Sequence, residues 1–194
     1  MPYSHLNDYP ADIRERAARV RLACFDVDGT LTDGRLGFDS DGRELKAFHV
    51  HDGLGLVMLR RSGIAVAFVT ARASAVAERR AEELGVEAHT GVKDKHACVQ
   101  AIADRLGIGM EAVSFMGDDL PDLKVIPHVG FSAAPADAHP WMRERVHWRT
   151  RALAGRGAAR EFCDLLLAAQ GHAEALLADI AGSTGGPASD GRRA

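Results

Sequence analysis

Two aspartates, Asp26 and Asp28, stand two residues apart directly after the apolar run Leu22-Ala23-Cys24-Phe25. Further along, Thr70 closes a second apolar run, Lys95 opens a helical pattern, and Asp118, Asp119 and Asp122 follow a third run. Carboxylates gathered at one place repel one another unless a cation joins them. An oxygen-only ligand set from few side chains suits a hard ion such as Mg²⁺. A carboxylate such as Asp26 can attack phosphorus to give an acyl phosphate, which divides a hydrolysis into two steps. Asp28 is placed to protonate the leaving oxygen and later to activate water. The metal, Lys95 and Thr70 would neutralise and orient the phosphoryl oxygens, which is most of what phosphoryl transfer requires.

Such residues act together only if the fold delivers them to one edge. Ala11 to Arg21 carries Ile13, Ala17 and Val20 at helical spacing behind Pro10, the pattern of a short amphipathic helix. Leu22 to Phe25 reads as a buried strand. Gly34 to Val50 alternates around Ser40-Asp41-Gly42 and predicts a β-hairpin, with Leu36, Phe38, Leu45, Ala47 and His49 on its strands. From there helix and strand alternate. Helices are predicted over 54–61, 74–84 (stopped by Gly85) and 95–106 (closed by Gly107), with a short one around Leu123. Strands are predicted over 64–69, 86–89, 113–116 and 129–132. One long helix is expected from Gly157 to about Ala181. Repeated β-α alternation with short loops means a doubly wound α/β fold with a parallel sheet, whose reactive groups gather at the carboxyl ends of the strands. The domain is expected over 1–181, and the Gly-, Ser-, Pro- and Arg-rich residues 182–194 read as a disordered tail.

In that setting Asp26-Val27-Asp28-Gly29-Thr30, Thr70, Lys95 and Gly117-Asp118-Asp119-Leu120-Pro121-Asp122 resemble the four motifs of the haloacid dehalogenase-like phosphatases, in family order. Loop acids abound, but acids acting only as caps rarely fall at successive strand ends. Only 44 residues separate Asp26 from Thr70, and 23 separate Lys95 from Asp118. Neither interval holds the cap domain that many relatives use, so the site is expected to be open or closed by a neighbouring subunit.

Four further segments narrow the resemblance to the 3-deoxy-D-manno-octulosonate 8-phosphate (KDO 8-phosphate) phosphatase family. They are Leu45-Lys46-Ala47-Phe48-His49-Val50-His51-Asp52-Gly53, Thr70-Ala71-Arg72, Ala134-Pro135-Ala136-Asp137-Ala138-His139-Pro140, and Gly155-Arg156-Gly157-Ala158-Ala159-Arg160-Glu161. The match runs from about Arg14 to Gln170. It implies a Mg²⁺-dependent hydrolase acting on a phosphorylated sugar acid in lipopolysaccharide precursor synthesis. The metal would be held by the Asp26 carboxylate, the Asp28 backbone carbonyl and the Asp118 carboxylate, with Asp119 and Asp122 behind them. The resemblance also implies a homotetramer assembled on the hairpins, with a neighbour's hairpin and C-terminal segment closing each site. Lys46, Arg72, Arg80 and Arg156 are the residues expected to contact the substrate. Departures from the family pattern fall at Thr30, Ala71, His51 and the stretch Val92-Lys93-Asp94.

Arg72 lies at a strand end beside Thr70, and a guanidinium there can bind a carboxylate bidentately. Arg80, in the run Glu78-Arg79-Arg80, reads on its own as such a contact or as part of a solvated helix face. A phosphatase for a related nonulosonate 9-phosphate is the alternative within the class, and Arg72 speaks against it because those relatives tend to carry an acid there. A receiver-like phospho-accepting module also uses a strand-end Asp, Thr and Lys, but it places its acid pair first and its Lys last, and has no counterpart of Asp28. A non-catalytic assembly module would have no reason to keep every motif residue. His49 and His51 on alternate strand positions lack a third metal ligand nearby and read as one hairpin face at a subunit contact.

Composition excludes several other classes. The net charge of −3 supplies no basic field for nucleic acid, so Trp141 and Trp148 are expected to pack rather than stack on bases. Cys24, Cys98 and Cys163 are scattered and fit a reducing, cytoplasmic setting. Met1 to Asp8 has no basic segment followed by an apolar one, so no signal peptide is expected. No apolar run approaches the ~20 residues that span a bilayer.

Overall fold

A computed structural model of the chain describes Leu6 and residues 8–182. Its frame is a six-stranded, wholly parallel sheet in the order β5-β4-β1-β6-β7-β8. The strands are β1 (Leu22–Phe25), β4 (Ala65–Val69), β5 (Glu87–His89), β6 (Val113–Met116), β7 (Phe131–Ala134) and β8 (Trp148–Arg149). A separate two-stranded hairpin joins β2 (Gly37–Phe38) to β3 (Glu44–Leu45). From β1 the chain winds outward to β4 and β5, then returns to β6, β7 and β8 on the other side. The winding reverses between β1 and β6, where a doubly wound sheet opens a crevice at its carboxyl edge.

Both faces of the sheet are covered, which is why its strands read as apolar runs and not as alternating ones. Ala23, Phe25, Val66 and Phe68 face one core, together with residues of α1 (Ala11–Arg19), α2 (Val50–Arg61), α3 (Ala75–Leu84) and α6 (Ala158–Ala169). Leu22, Cys24, Ala67, Val69 and Phe115 face the other, which includes Val99 and Ile102 of α4 (Lys95–Leu106) and Met142 of α5 (Pro140–Arg143). No helix among the described residues is long and apolar enough to cross a membrane.

Several boundaries depart from the sequence reading. The hairpin strands are only two residues long, and the turn between them is closed by the Asp39 carboxylate, which accepts from the N–H groups of Asp41 (2.9 Å) and Arg43 (2.8 Å). Val50 belongs to α2, which starts four residues before the predicted helix. Gly53 and Gly55 are poor helix formers, but tertiary contacts outweigh them. Asp52 is buried and caps α6, accepting from Gly157 N (3.3 Å) and Arg160 N (2.8 Å). His49 therefore stands at the N-cap position of α2, without a side-chain capping bond, and His51 lies in its first turn, their rings edge to face at 5.0 Å, and not on alternate strand positions.

The strand expected at 129–132 forms at 131–134, because its partner β6 pairs Ser114 with Phe131 and Met116 with Ala133. The long C-terminal helix is two, α6 and α7 (Ala173–Gly182), divided at Gly171, which adopts a left-handed φ of 76°. α5 and β8 have no counterpart in the sequence reading. Trp148 of β8 stacks on Phe162 and meets Tyr9 edge to face, whereas Trp141 is exposed. The expected tail lies outside the described residues except for Gly182.

Candidate active site

Asp26 extends β1 by one residue, its N–H donating to Met116 O at 2.9 Å. Asp118 follows the neighbouring β6 after Gly117, so adjacent strand ends bring the two carboxylates together. Lys95 is the first residue of α4, behind the N-cap Asp94, and its buried ammonium lies 2.8 Å from Asp26 Oδ1 and 2.5 Å from Asp122 Oδ1. Thr70, also buried, directly follows β4. Its N–H donates to His89 O and its Oγ1 accepts from Arg72 N at 3.4 Å.

Two glycines make this approach possible. A Cβ at Gly29, which adopts φ +87°, would stand 2.2 Å from Asp118 Oδ2. A Cβ at Gly117 would stand 2.4 Å from Asp122 Oδ2. Both separations are far inside van der Waals contact, so a side chain at either position would push the Asp118 or Asp122 carboxylate from its place where the two acid-bearing segments converge.

One oxygen from each of Asp26, Asp118 and Asp122 can be chosen so that all lie within 4.8 Å of one another. Their hydrogen bonding sets them apart. Both oxygens of Asp122 are engaged: Oδ1 with Lys95, and Oδ2 with the N–H groups of Asp118 (3.0 Å) and Asp119 (3.3 Å). Asp119 and Asp122 complete a capping box at the start of the 3-10 turn Leu120–Lys124. Asp26 Oδ1 is buried without a hydrogen-bond donor in bonding geometry, Lys95 standing near it only as an ion. Asp118 Oδ1 accepts from the Thr30 hydroxyl at 3.1 Å. Asp26 and Asp118 thus keep lone pairs for a cation while Asp122 holds the loop, and a hard divalent ion fits this donor set.

The electrostatics agree. Burial, and then the charge of Asp122, push the Asp26 carboxyl up to about 7 against the pull of Lys95. Burial, and then Asp26 and Asp122, push Asp118 up to about 8, with the Thr30 hydroxyl pulling the other way. Burial works against the charge of Lys95, but Asp26 and Asp122 outweigh it and hold its pKa above the ordinary value. A cation bound between Asp26 and Asp118 would favour their ionised forms.

A second group of charges lies around Asp28. Lys46, whose side chain is only 1% exposed, donates to Asp28 Oδ1 and lies 3.0 Å from Glu44 Oε1. Arg72 Nε stands 3.6 Å from Asp28 Oδ2, and its Nη2 donates to Glu44 Oε1 at 3.3 Å. Burial opposes the charge of Glu44, but the Ser74 hydroxyl, Lys46 and Arg72 prevail and hold its carboxyl below the usual range.

Asp26, Asp28, Thr70, Lys95, Asp118, Asp119 and Asp122 therefore gather at the carboxyl edge, and the hairpin and Arg72 adjoin them. Arg80 is placed differently. It pairs with Glu83 at 2.8 Å, lies over the Phe48 ring at 5.7 Å, and packs on Gly53 of α2. Arg156 is exposed, and its side chain makes no hydrogen bond or ion pair among the described residues. The preceding residue, Gly155, donates its N–H to Thr30 O at 3.1 Å in the loop after β1. Thr30 as a partner of Asp118, and Glu44, were not among the residues singled out from the sequence. Glu44 had a signal, since it lies two residues before Lys46 and hence on the same strand face.

No family model matches the chain. The chain is nevertheless 43% identical over 164 residues to the 3-deoxy-D-manno-octulosonate 8-phosphate phosphatase of Yersinia pestis, covering 84% of this chain and 88% of that one. The crystal structure of a hypothetical protein from Xanthomonas campestris superposes with a TM-score of 0.90 at 57% identity, covering 93% of this chain and 99% of that one. The 3-deoxy-D-manno-octulosonate 8-phosphate phosphatase of Moraxella catarrhalis, solved with a magnesium ion, a phosphate ion and a KDO molecule, superposes with a TM-score of 0.86 at 39% identity, covering 89% and 99%.

Proposed function

The chain belongs to the 3-deoxy-D-manno-octulosonate 8-phosphate phosphatase family of haloacid dehalogenase-like enzymes, and we propose that it hydrolyses that sugar-acid phosphate through a phospho-aspartate on Asp26. The observation that carries this reading is the convergence of Asp26, Asp118 and Lys95 at adjacent strand ends, with Asp28, Lys46 and Arg72 beside them.

Asp26 attacks phosphorus, forming one P–O bond while the bond to the sugar oxygen breaks. Asp28 gives its proton to that leaving oxygen, then takes a proton from the water that attacks the aspartyl phosphate and frees Asp26. Lys95 and Thr70 hold the phosphoryl oxygens in line. Asp26, Asp118 and the Asp28 backbone carbonyl would hold Mg²⁺, which supplies further charge neutralisation to the transferred group. Asp119 and Asp122 keep the second acidic loop in place. Arg72, with 42% of its side chain exposed, is the contact for the sugar-acid carboxylate.

Assembly belongs to the same proposal. Leu36, Phe38 and Leu45 of the hairpin and Val50 and Leu54 of α2 are each at least 48% exposed, and a tetramer on the hairpins would cover them. Arg80, beside Phe48 on that side, and Arg156, carried by the segment tied to Thr30, would complete a substrate site shared between subunits. The free thiols accord with a cytoplasmic location.

The deciding assay is phosphate release from KDO 8-phosphate, a nonulosonate 9-phosphate and a small aryl phosphate, with Mg²⁺ and with chelator. Preference for KDO 8-phosphate with Mg²⁺ supports the assignment. Preference for the nonulosonate, or full activity in chelator, defeats it. Sedimentation tests the tetramer, and Arg156→Ala tests the shared contact. A point substitution is needed because truncation before α6 would remove Phe162, Leu165 and Leu166 from the core.

A further inference from the structure

Glu44 touches Lys46, Arg72 and Ser74 together. Its Oε1 lies 3.0 Å from Lys46 Nζ and accepts from Arg72 Nη2 at 3.3 Å, while Oε2 accepts from the Ser74 hydroxyl. Ser74 is itself fixed, as the N-cap of α3 that accepts from Ala77 N at 3.2 Å. A carboxylate on the hairpin is thereby tied at one end to a rigid helix start. At its other end it holds the two cations that flank Asp28.

The side chain of Arg72 is long and 42% exposed, and free in solvent it would sample many rotamers. Here its Nε faces Asp28 and its Nη2 is bonded to Glu44, while its Nη1 has no hydrogen-bond or ion-pair partner among the described residues. A fixed fork binds a carboxylate with less loss of freedom than a mobile one. We infer that Glu44 is a positioning residue, which pre-orients Arg72 for the carboxylate of the sugar acid and so sets preference for substrates that carry one. The inference rests on the phosphatase reading above.

The test is Glu44→Gln, which keeps size and removes charge, assayed with Mg²⁺ on KDO 8-phosphate and on an aryl phosphate that lacks a carboxylate. KM for the sugar-acid phosphate should rise about tenfold with little change in kcat, and the preference over the aryl phosphate should fall by the same factor. The double variant Glu44→Gln/Arg72→Ala should be no worse than Arg72→Ala alone, since Glu44 acts through Arg72. Equal loss on both substrates, no change, or a lower KM for the sugar-acid phosphate would each overturn the inference. If Glu44→Gln melts early, Ser74→Ala frees the far oxygen of Glu44 and should reduce the same preference by a smaller factor. An unaltered preference there would overturn the inference equally. A wild-type enzyme with no preference for the sugar-acid phosphate would instead defeat the functional reading itself.

Discussion

Lys46 Nζ donates to Asp28 Oδ1, so the hairpin of this chain closes onto the chain's own acid. Burial of an ammonium beside Asp28 and Glu44 is tolerable because the two carboxylates offset its desolvation.

Lys46→Met should therefore leave the half-exposed Arg72 alone to offset Asp28 and Glu44. Stability should fall by about 1–3 kcal/mol, read from a urea titration, and kcat by tenfold or more. An unaltered kcat in a folded variant would confine Lys46 to a structural part.

Asp26→Asn should abolish turnover in protein that melts close to the wild-type temperature, because an amide is a poor nucleophile. Rapid acid quench of the wild type should trap a phosphorylated peptide containing Asp26. Retention of more than about 1% of the activity would remove Asp26 from the nucleophile's place.

Metal and pH should be linked. In the metal-free protein Asp26 and Asp118 titrate near 7 and 8 against an ordinary 3.8, so between those values the folded state holds more protons than the unfolded one. Their contribution to stability is then greatest at acid pH and declines as pH rises from about 4 to 8. Mg²⁺ binds the ionised cluster, so the rise in Tm that it causes should be larger at pH 8 than at pH 6. Equal rises at both pH values would contradict the cluster's protonation.

Lys95→Met leaves Asp26 and Asp122 buried without their shared counter-ion. The cost should be about 3–5 kcal/mol in metal-free protein, measured by urea unfolding, and saturating Mg²⁺ should recover part of it. A variant as stable as wild type would show that the two acids protonate at little cost.

Much of the site was legible in the sequence because its cause is local. An apolar run that stops at an acid places that acid at a strand end whatever the rest of the chain does, as at Phe25-Asp26 and Val69-Thr70. A parallel sheet then sends all such ends to one edge. Helix starts and stops at Ser74, Gly85, Lys95 and Gly107 were readable for the same reason, since caps are set by neighbouring residues. Tertiary structure decided what depends on distant partners. Asp52 caps a helix more than a hundred residues away, which carries α2 through two glycines. β8 is a strand only because β7 offers it an edge. That Asp122 is engaged while Asp118 keeps lone pairs was only implied by the family resemblance, and its physical cause, Lys95 and two backbone donors, is tertiary; Glu44 likewise gains its place from Arg72 and Ser74 across the loop. Motif spacing indicates which residue types are available, whereas the lone pairs left free at each are known only once the donors around them are in place.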